Sequence, residues 1–211
     1  MITILIDYWD AFLSGFLQTL KASTYALVGS FVVGTLIAVM RISTIRVLNW
    51  LGTAYVEFFR NIPLLLTVFI FWLGFRLGGF EAGTLGLLIY TSAFIAEAIR
   101  AGIQAIPTGQ MEAARSSGLT YTQALRFVIL PQAIKTVIPP LGNQTLNLVK
   151  NSSILAVVGG ADLMYQGDII NSMTFSPYAV YGIVALFYLL LTIPLSWGIG
   201  YYEKRLAKGG A

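Results

Sequence analysis

The length of its charge-free apolar runs constrains this chain more than any other feature. Thirty-four residues separate Asp168 from Glu203 without a single Asp, Glu, Lys or Arg, and 19 separate Lys21 from Arg41. A helix of ~20 apolar residues crosses the ~30 Å hydrocarbon core of a bilayer. Soluble domains carry ~25% charged residues, whereas this 211-residue chain carries 10% with a mean hydropathy of +0.78. Within lipid a helix satisfies its own backbone, so the expected fold is an all-α integral membrane protein.

With the charges as rulers, five spans are expected, at about 19–40, 54–76, 84–103, 126–149 and 177–201. The second contains 15 uncharged residues between Arg60 and Arg76 and a bend at Pro63. The third carries Glu97 and Arg100 at its far end, spaced i, i+3 for an ion pair. The fourth is interrupted by Pro131, Pro139 and Pro140. Lys and Arg are enriched in cytoplasmic loops. Arg41 and Arg46, Arg115 and Arg126, and Lys204, Arg205 and Lys208 therefore mark the inside, which sets the N-terminus outside and the C-terminus in the cytoplasm. No basic segment precedes Lys21, so the first span is expected to be retained. Residues 1–211 read as a single domain without internal repeats, and five helices make a bundle small enough to expect an oligomer.

Composition removes most catalytic chemistry. The chain has 0 His and 0 Cys, which excludes disulfides, thiolate or imidazole metal sites, cysteine nucleophiles and Ser-His-Asp triads. It lacks the Gly-Lys pair of a phosphate-cradling P-loop. No catalytic residue, cofactor or metal is expected on this chain. The net charge of +4 is read as orientation in the membrane rather than as affinity for nucleic acid.

Between spans three and four, residues 107–123 are too polar for lipid and carry helix punctuation. Thr108 is the expected N-cap, Gly118 the C′ residue, and Thr120 with Gln123 a capping box opening the next helix. Ala113 and Ala114 permit close approach by another surface, while Glu112 and Arg115 offer charge at its edge. The whole pattern is Glu112-Ala113-Ala114, three residues, Gly118, nine residues, Val128, one residue, Leu130-Pro131. It resembles the EAA motif of permease subunits of ATP-binding-cassette importers, with Val128 where Ile is usual. Glu57-Phe-Phe-Arg-Asn-Ile-Pro63, Ala96-Glu97-Ala-Ile-Arg100-Ala-Gly102 and Leu148-Val-Lys150-Asn151-Ser152-Ser153 resemble the polar amino acid branch of that family.

The resemblance implies a type I importer transmembrane subunit with a five-helix core in a prokaryotic inner or plasma membrane. It implies a second permease copy or close paralogue, two separate ATPase subunits holding ATP and Mg, and an extracytoplasmic amino-acid-binding protein. Residues of about 109–118, with Glu112, Ala113, Ala114, Arg115 and Gly118, would form the helix coupled to the ATPase.

Asn143, Asn147, Lys150 and Asn151 fall at i, i+4, i+7 and i+8, along one side of span four. Polar groups at membrane depth face a bundle interior or a watery cavity. An amino acid needs donors for its carboxylate and acceptors for its ammonium. Asn147, Asn151, Ser152 and Ser153 are the expected donors and Asp162 the expected acceptor. The structural alternative gives the Asn residues to helix pairing and leaves Asp162 a solvated loop acid. Lys150 and Asn151, in place of a carboxylate, favour a glutamine- or glutamate-like cargo over a cationic one. The competing function is an ion-coupled secondary carrier or channel without an ATPase. That mechanism calls for intramembrane acids and repeat symmetry, and Glu97 is the one evident acid within a span. A membrane-embedded enzyme would require a cluster of Asp, Glu, Ser or Lys that the sequence does not display.

Overall fold

The computed structural model describes residues 1–208, and these form helices joined by short turns, without strands. The α-helices are α1 (Ile2–Asp7), α2 (Trp9–Ile42), α3 (Arg46–Asn61), α4 (Leu64–Phe69), α5 (Gly79–Gln104), α6 (Thr108–Ser116), α7 (Tyr121–Ala124), α8 (Leu130–Asn151), α9 (Leu163–Thr174) and α10 (Pro177–Lys208). Two π-helical turns, Ile70–Gly74 and Leu125–Ile129, and a 3-10 segment, Ser152–Val158, continue α4, precede α8 and follow it.

The burial pattern of α2 is that of a membrane helix. Its inward stripe is Gly15, Thr19, Ala22, Ser23, Ala26, Ser30, Gly34 and Ala38, headed by Phe12, while Leu17, Leu20, Val28, Val32, Leu36 and Val39 point outward. Lipid tails are as apolar as leucine, so helix pairs in lipid gain by close approach of small residues. At Gly34 a Cβ would stand 2.8 Å from the Ser92 carbonyl oxygen on α5, so glycine is required by the crossing. The second helix of that crossing, α5, runs through the centre of the bundle and packs against α2, α3, α4, α8 and the 3-10 segment. Its buried side is again small, with Ala82, Gly83, Gly86, Ala93 and Ala96. Tyr55 of α3 donates to the Ile89 carbonyl at 3.1 Å and shares a 2.6 Å hydrogen bond with Ser92. A separate apolar cluster of Phe12, Leu163, Ile170, Val180, Ile183 and Phe187 joins α2, α9 and α10.

Four helical stretches are long and apolar enough to cross a membrane: Trp9–Ile42, Gly79–Gln104, Tyr121–Val158 and Pro177–Leu206. The first starts ten residues before the expected position 19, because Asp10 is accommodated in the first helical turn. The expected second span departs most from a single helix. It is two pieces, Arg46–Asn61 and Leu64–Gly74, meeting at 112°. Pro63 has no N–H to donate and holds Ile62 extended, so the helix breaks rather than bends. Neither piece, at roughly 24 and 17 Å by helical rise, crosses the hydrocarbon alone.

Candidate functional site

Four constellations concentrate the chain's polar chemistry, beginning with the short helix α6. Pro107, not the expected Thr108, occupies the N-cap position, and Thr108 is already helical without a side-chain cap. The fixed φ of proline suits a chain entering a helix, which is why the predicted hydroxyl cap is dispensable. At the other end Gly118 adopts φ +91°. Its N–H donates to Arg115 O at 3.0 Å, and Leu119 N–H to Ala114 O at 3.3 Å, a full Schellman closure. Thr120 and Gln123 form the expected capping box, with Thr120 N–H donating to Gln123 Oε1 at 2.9 Å and Gln123 N–H to Thr120 Oγ1 at 3.3 Å. Ala114 is buried, while Glu112, Ala113, Arg115 and Gly118 are exposed. Gln132 at the start of α8 donates to the Gln110 side chain at 3.3 Å and to Val128 O at 2.9 Å, tying α6 to the π-turn and to α8.

The second constellation is a cavity of about 270 Å³ between α5 and α8, lined by Tyr90, Thr91 and Phe94 on one wall and Gln144, Asn147, Leu148 and Asn151 on the other. Asn147 and Asn151 are brought together here. Lys150 and Ser153 instead line a larger, mostly apolar cavity against α9 and α10, with Met164, Tyr181 and Tyr188. Asn143 is exposed and lines neither. The Ser152 hydroxyl, fully buried, donates to Val149 O at 2.7 Å, and that of Ser153 donates to Lys150 O at 3.0 Å. Both protons thus serve the helix end instead of pointing free.

Asp162 is a third address, apart from the polar cavity and far from a solvated loop. It is completely buried, and its carboxylate caps α9 by accepting from Met164 N–H at 3.1 Å and Tyr165 N–H at 3.4 Å. The next backbone donor, Leu163 N–H, goes to Thr19 Oγ1 of α2 at 3.0 Å. Burial raises the Asp162 carboxyl to about 6, with the two backbone donors opposing.

The last constellation was half foreseen. Glu97 pairs with Arg100 as expected, at 2.6 Å, and also with Arg41 from the end of α2 and Arg60 from α3, the latter at 3.8 Å. One carboxylate therefore fastens three helices. Arg41 is nearly enclosed at 8% side-chain exposure, against 21% for Glu97. Arg60 also stands over the Phe94 ring, 5.5 Å from its centre. Arg41 and Arg60 lie 56 and 37 residues away in sequence, so no local spacing announces them. Gln144 was legible in principle, since Gln144, Asn147 and Asn151 fall at i, i+3 and i+7 on α8, whereas nothing local announced Phe94 on α5.

Residues 30–208 match the family model described as binding-protein-dependent transport system inner membrane component. Among curated proteins the chain is 64% identical to the "Probable glutamine ABC transporter permease protein GlnM" of Bacillus subtilis, covering 98% of both chains. It is 37% identical to the glutamate transport system permease protein GluC of Corynebacterium glutamicum, over 98% of this chain and 99% of that one. Among solved structures it superimposes on a chain of an amino acid ABC transporter crystallised with histidines at a TM-score of 0.88 and 39% identity, over 95% of this chain and 96% of that one. A chain of the inward-facing MetNI methionine ABC transporter shares the fold at a TM-score of 0.69 and 23% identity, over 98% and 97%.

Proposed function

This chain belongs to the family of binding-protein-dependent transport system inner membrane components, and from that premise we propose that it passes a glutamine- or glutamate-like amino acid inward as half of a paired permease. It is the non-enzymatic membrane subunit of a bacterial ABC importer, acting with ATPase and substrate-binding partners. The cargo class rests on the relatives named for glutamine and glutamate and on the amide-lined cavity of Gln144, Asn147 and Asn151. Amides both donate and accept, so they suit a neutral polar side chain better than a cation. Asn143 extends this path at the exposed edge of α8, whereas Asp162, with Ser152 and Ser153, positions it from behind by fixing the turn into α9. The second half is a further copy or a close paralogue. Two ATPase chains hold the ATP and Mg, and the N-terminus lies outside and the C-terminus in the cytoplasm.

The observation that carries the reading is α6. A helix with Ala114 turned in and Glu112, Ala113 and Arg115 turned out, closed by a glycine and stapled to α8 through Gln132, is built to be pushed. Closure of the ATPases on ATP moves α6, and the Gln110–Gln132 bridge passes that movement to the helix that carries Asn147 and Asn151. Because the chain has no cysteine, Ala113→Cys introduces a single cross-linking handle. In the assembled transporter a short bifunctional reagent is expected to join position 113 to the ATPase, with a yield that changes on ATP binding. Tyr178→Cys, at the exposed start of α10, is expected to give no such adduct. An assembled complex with no ATPase adduct at 113 would contradict the docking role of α6.

A further inference from the structure

The walls of the polar cavity supply amides, two hydroxyl-bearing side chains and aromatic rings but no cation. An amino acid arrives there with a carboxylate, and an anion removed from water requires a cation or several strong donors. Arg60 does not line this cavity, but its guanidinium stands over the ring of Phe94, 5.5 Å from its centre, and Phe94 forms part of the wall. It is also the least committed of the three arginines on Glu97, at 3.8 Å and 37% side-chain exposure, where Arg100 is at 2.6 Å and Arg41 is enclosed. Arg41 and Arg100 already outnumber the single charge of Glu97, so Glu97 stays neutralised if Arg60 turns away. Glu57, one turn earlier on α3, is occupied with Asn61, whose amide donates to its carbonyl at 2.6 Å and its carboxylate at 3.3 Å. Arg60 is the penultimate residue of α3, just before the break at Ile62 and Pro63. Broken helices at membrane depth line cavities and ligand sites.

We propose that Arg60 is the residue that recognises the substrate carboxylate, exchanging its loose pairing with Glu97 for a forked pair with the cargo. The assignment rests on the reading that the cavity between α5 and α8 is the substrate path. Arginine suits the task because its planar fork matches a carboxylate and its charge persists at every physiological pH.

The test is equilibrium binding of radiolabelled L-glutamine to the purified permease–ATPase complex in lipid nanodiscs, with L-glutaminamide, which lacks the carboxylate, as competitor. The wild-type complex is expected to prefer glutamine over its amide by about 10- to 100-fold. Arg60→Gln is expected to bring that preference to within about threefold, and Arg60→Lys, which keeps the charge but not the fork, to an intermediate value. Asn151→Ala is expected to weaken both probes alike and preserve the preference. If Asn151→Ala weakens binding while both Arg60 variants keep the full preference, the Arg60 assignment is overturned and the cavity reading stands. If glutamine binding is unchanged in all three variants, or absent in the wild type, the cavity reading falls first and takes the assignment with it. Should Arg60→Gln fail to assemble, the preference of Arg60→Lys decides, and an unchanged value overturns the assignment.

Discussion

Glu97→Gln tests the helix clamp most severely, because it removes the anion and leaves three guanidiniums facing one another. Breaking a buried ion pair from one side costs ~3–5 kcal/mol, whereas exposed pairs are worth ~0–1 kcal/mol. Glu97 lies between these limits at 21% exposure, Arg41 is nearly enclosed at 8%, and Arg100 is a quarter exposed. The contact with Arg60 is long and open and adds little. A net loss of about 2–3 kcal/mol follows. For a chain of this size ~1 kcal/mol moves the unfolding midpoint by ~2–4 °C, so the variant should unfold roughly 5–10 °C early. Thermal unfolding of the detergent-solubilised protein, followed by tryptophan fluorescence, reads this directly. Adding Arg41→Met removes the most enclosed unpaired cation and should recover about half of the loss. A midpoint for Glu97→Gln within 2 °C of wild type, or a double variant no better than the single, would refute the reasoning.

Other consequences follow from the same geometry. Gly118→Ala meets no neighbour but must hold φ +91°, so it should cost ~1–2 kcal/mol by strain alone and loosen α6, seen as faster amide exchange at Gly118 and Leu119. Gly34→Leu should separate α2 from α5, because its Cβ alone would crowd Ser92 O and Ile95, and expression of folded protein should fall sharply. Asp162 is buried with its carboxyl raised to about 6 from an ordinary 3.8. The folded state therefore binds more protons than the unfolded chain between those values, and its contribution is largest below 3.8 and is lost as pH rises through about 6. Asp162→Asn should flatten the unfolding midpoint across that interval, which a pH series from 3.5 to 7 measures. Asp162→Ala, which also removes the α9 cap that Asn can keep, should unfold earlier than Asp162→Asn by ~1–2 kcal/mol across the same pH series.

The sequence exposed whatever depends on neighbours along the chain. Charge-free runs located the long helices, and Gly118, Thr120 and Gln123 marked turns that the structure builds with those residues. The second span was half legible. Pro63 announced an interruption, but a proline in sequence fits a kinked helix as well as a broken one, and the extended Ile62 that makes it a break is seen only in the structure. The polar stripe on span four was read as one face and serves two cavities, because Lys150 and Asn151 are adjacent and point ~100° apart around the helix. Asn151 therefore meets α5 while Lys150 meets α10. Asp162 was open to two readings, ligand or solvated acid, and its complete burial removes the second; an acid's burial is decided by elements distant in sequence, here Thr19 on α2. The same holds for Glu97, whose partners Arg41 and Arg60 belong to other helices and read in sequence as ordinary loop and span-end cations.

If transport through this chain is driven at α6 by a separate ATPase, as proposed, reconstituted uptake will depend on both. Permease, ATPase and amino-acid-binding protein are assembled in proteoliposomes, and accumulation of radiolabelled glutamine is followed with and without ATP, in wild type and in a Glu112→Lys, Gly118→Trp variant. Accumulation is expected to require ATP and to be abolished in the variant while the permease remains folded in the membrane. Accumulation by the permease alone under an ion gradient, indifferent to ATP and to α6, would contradict the proposal.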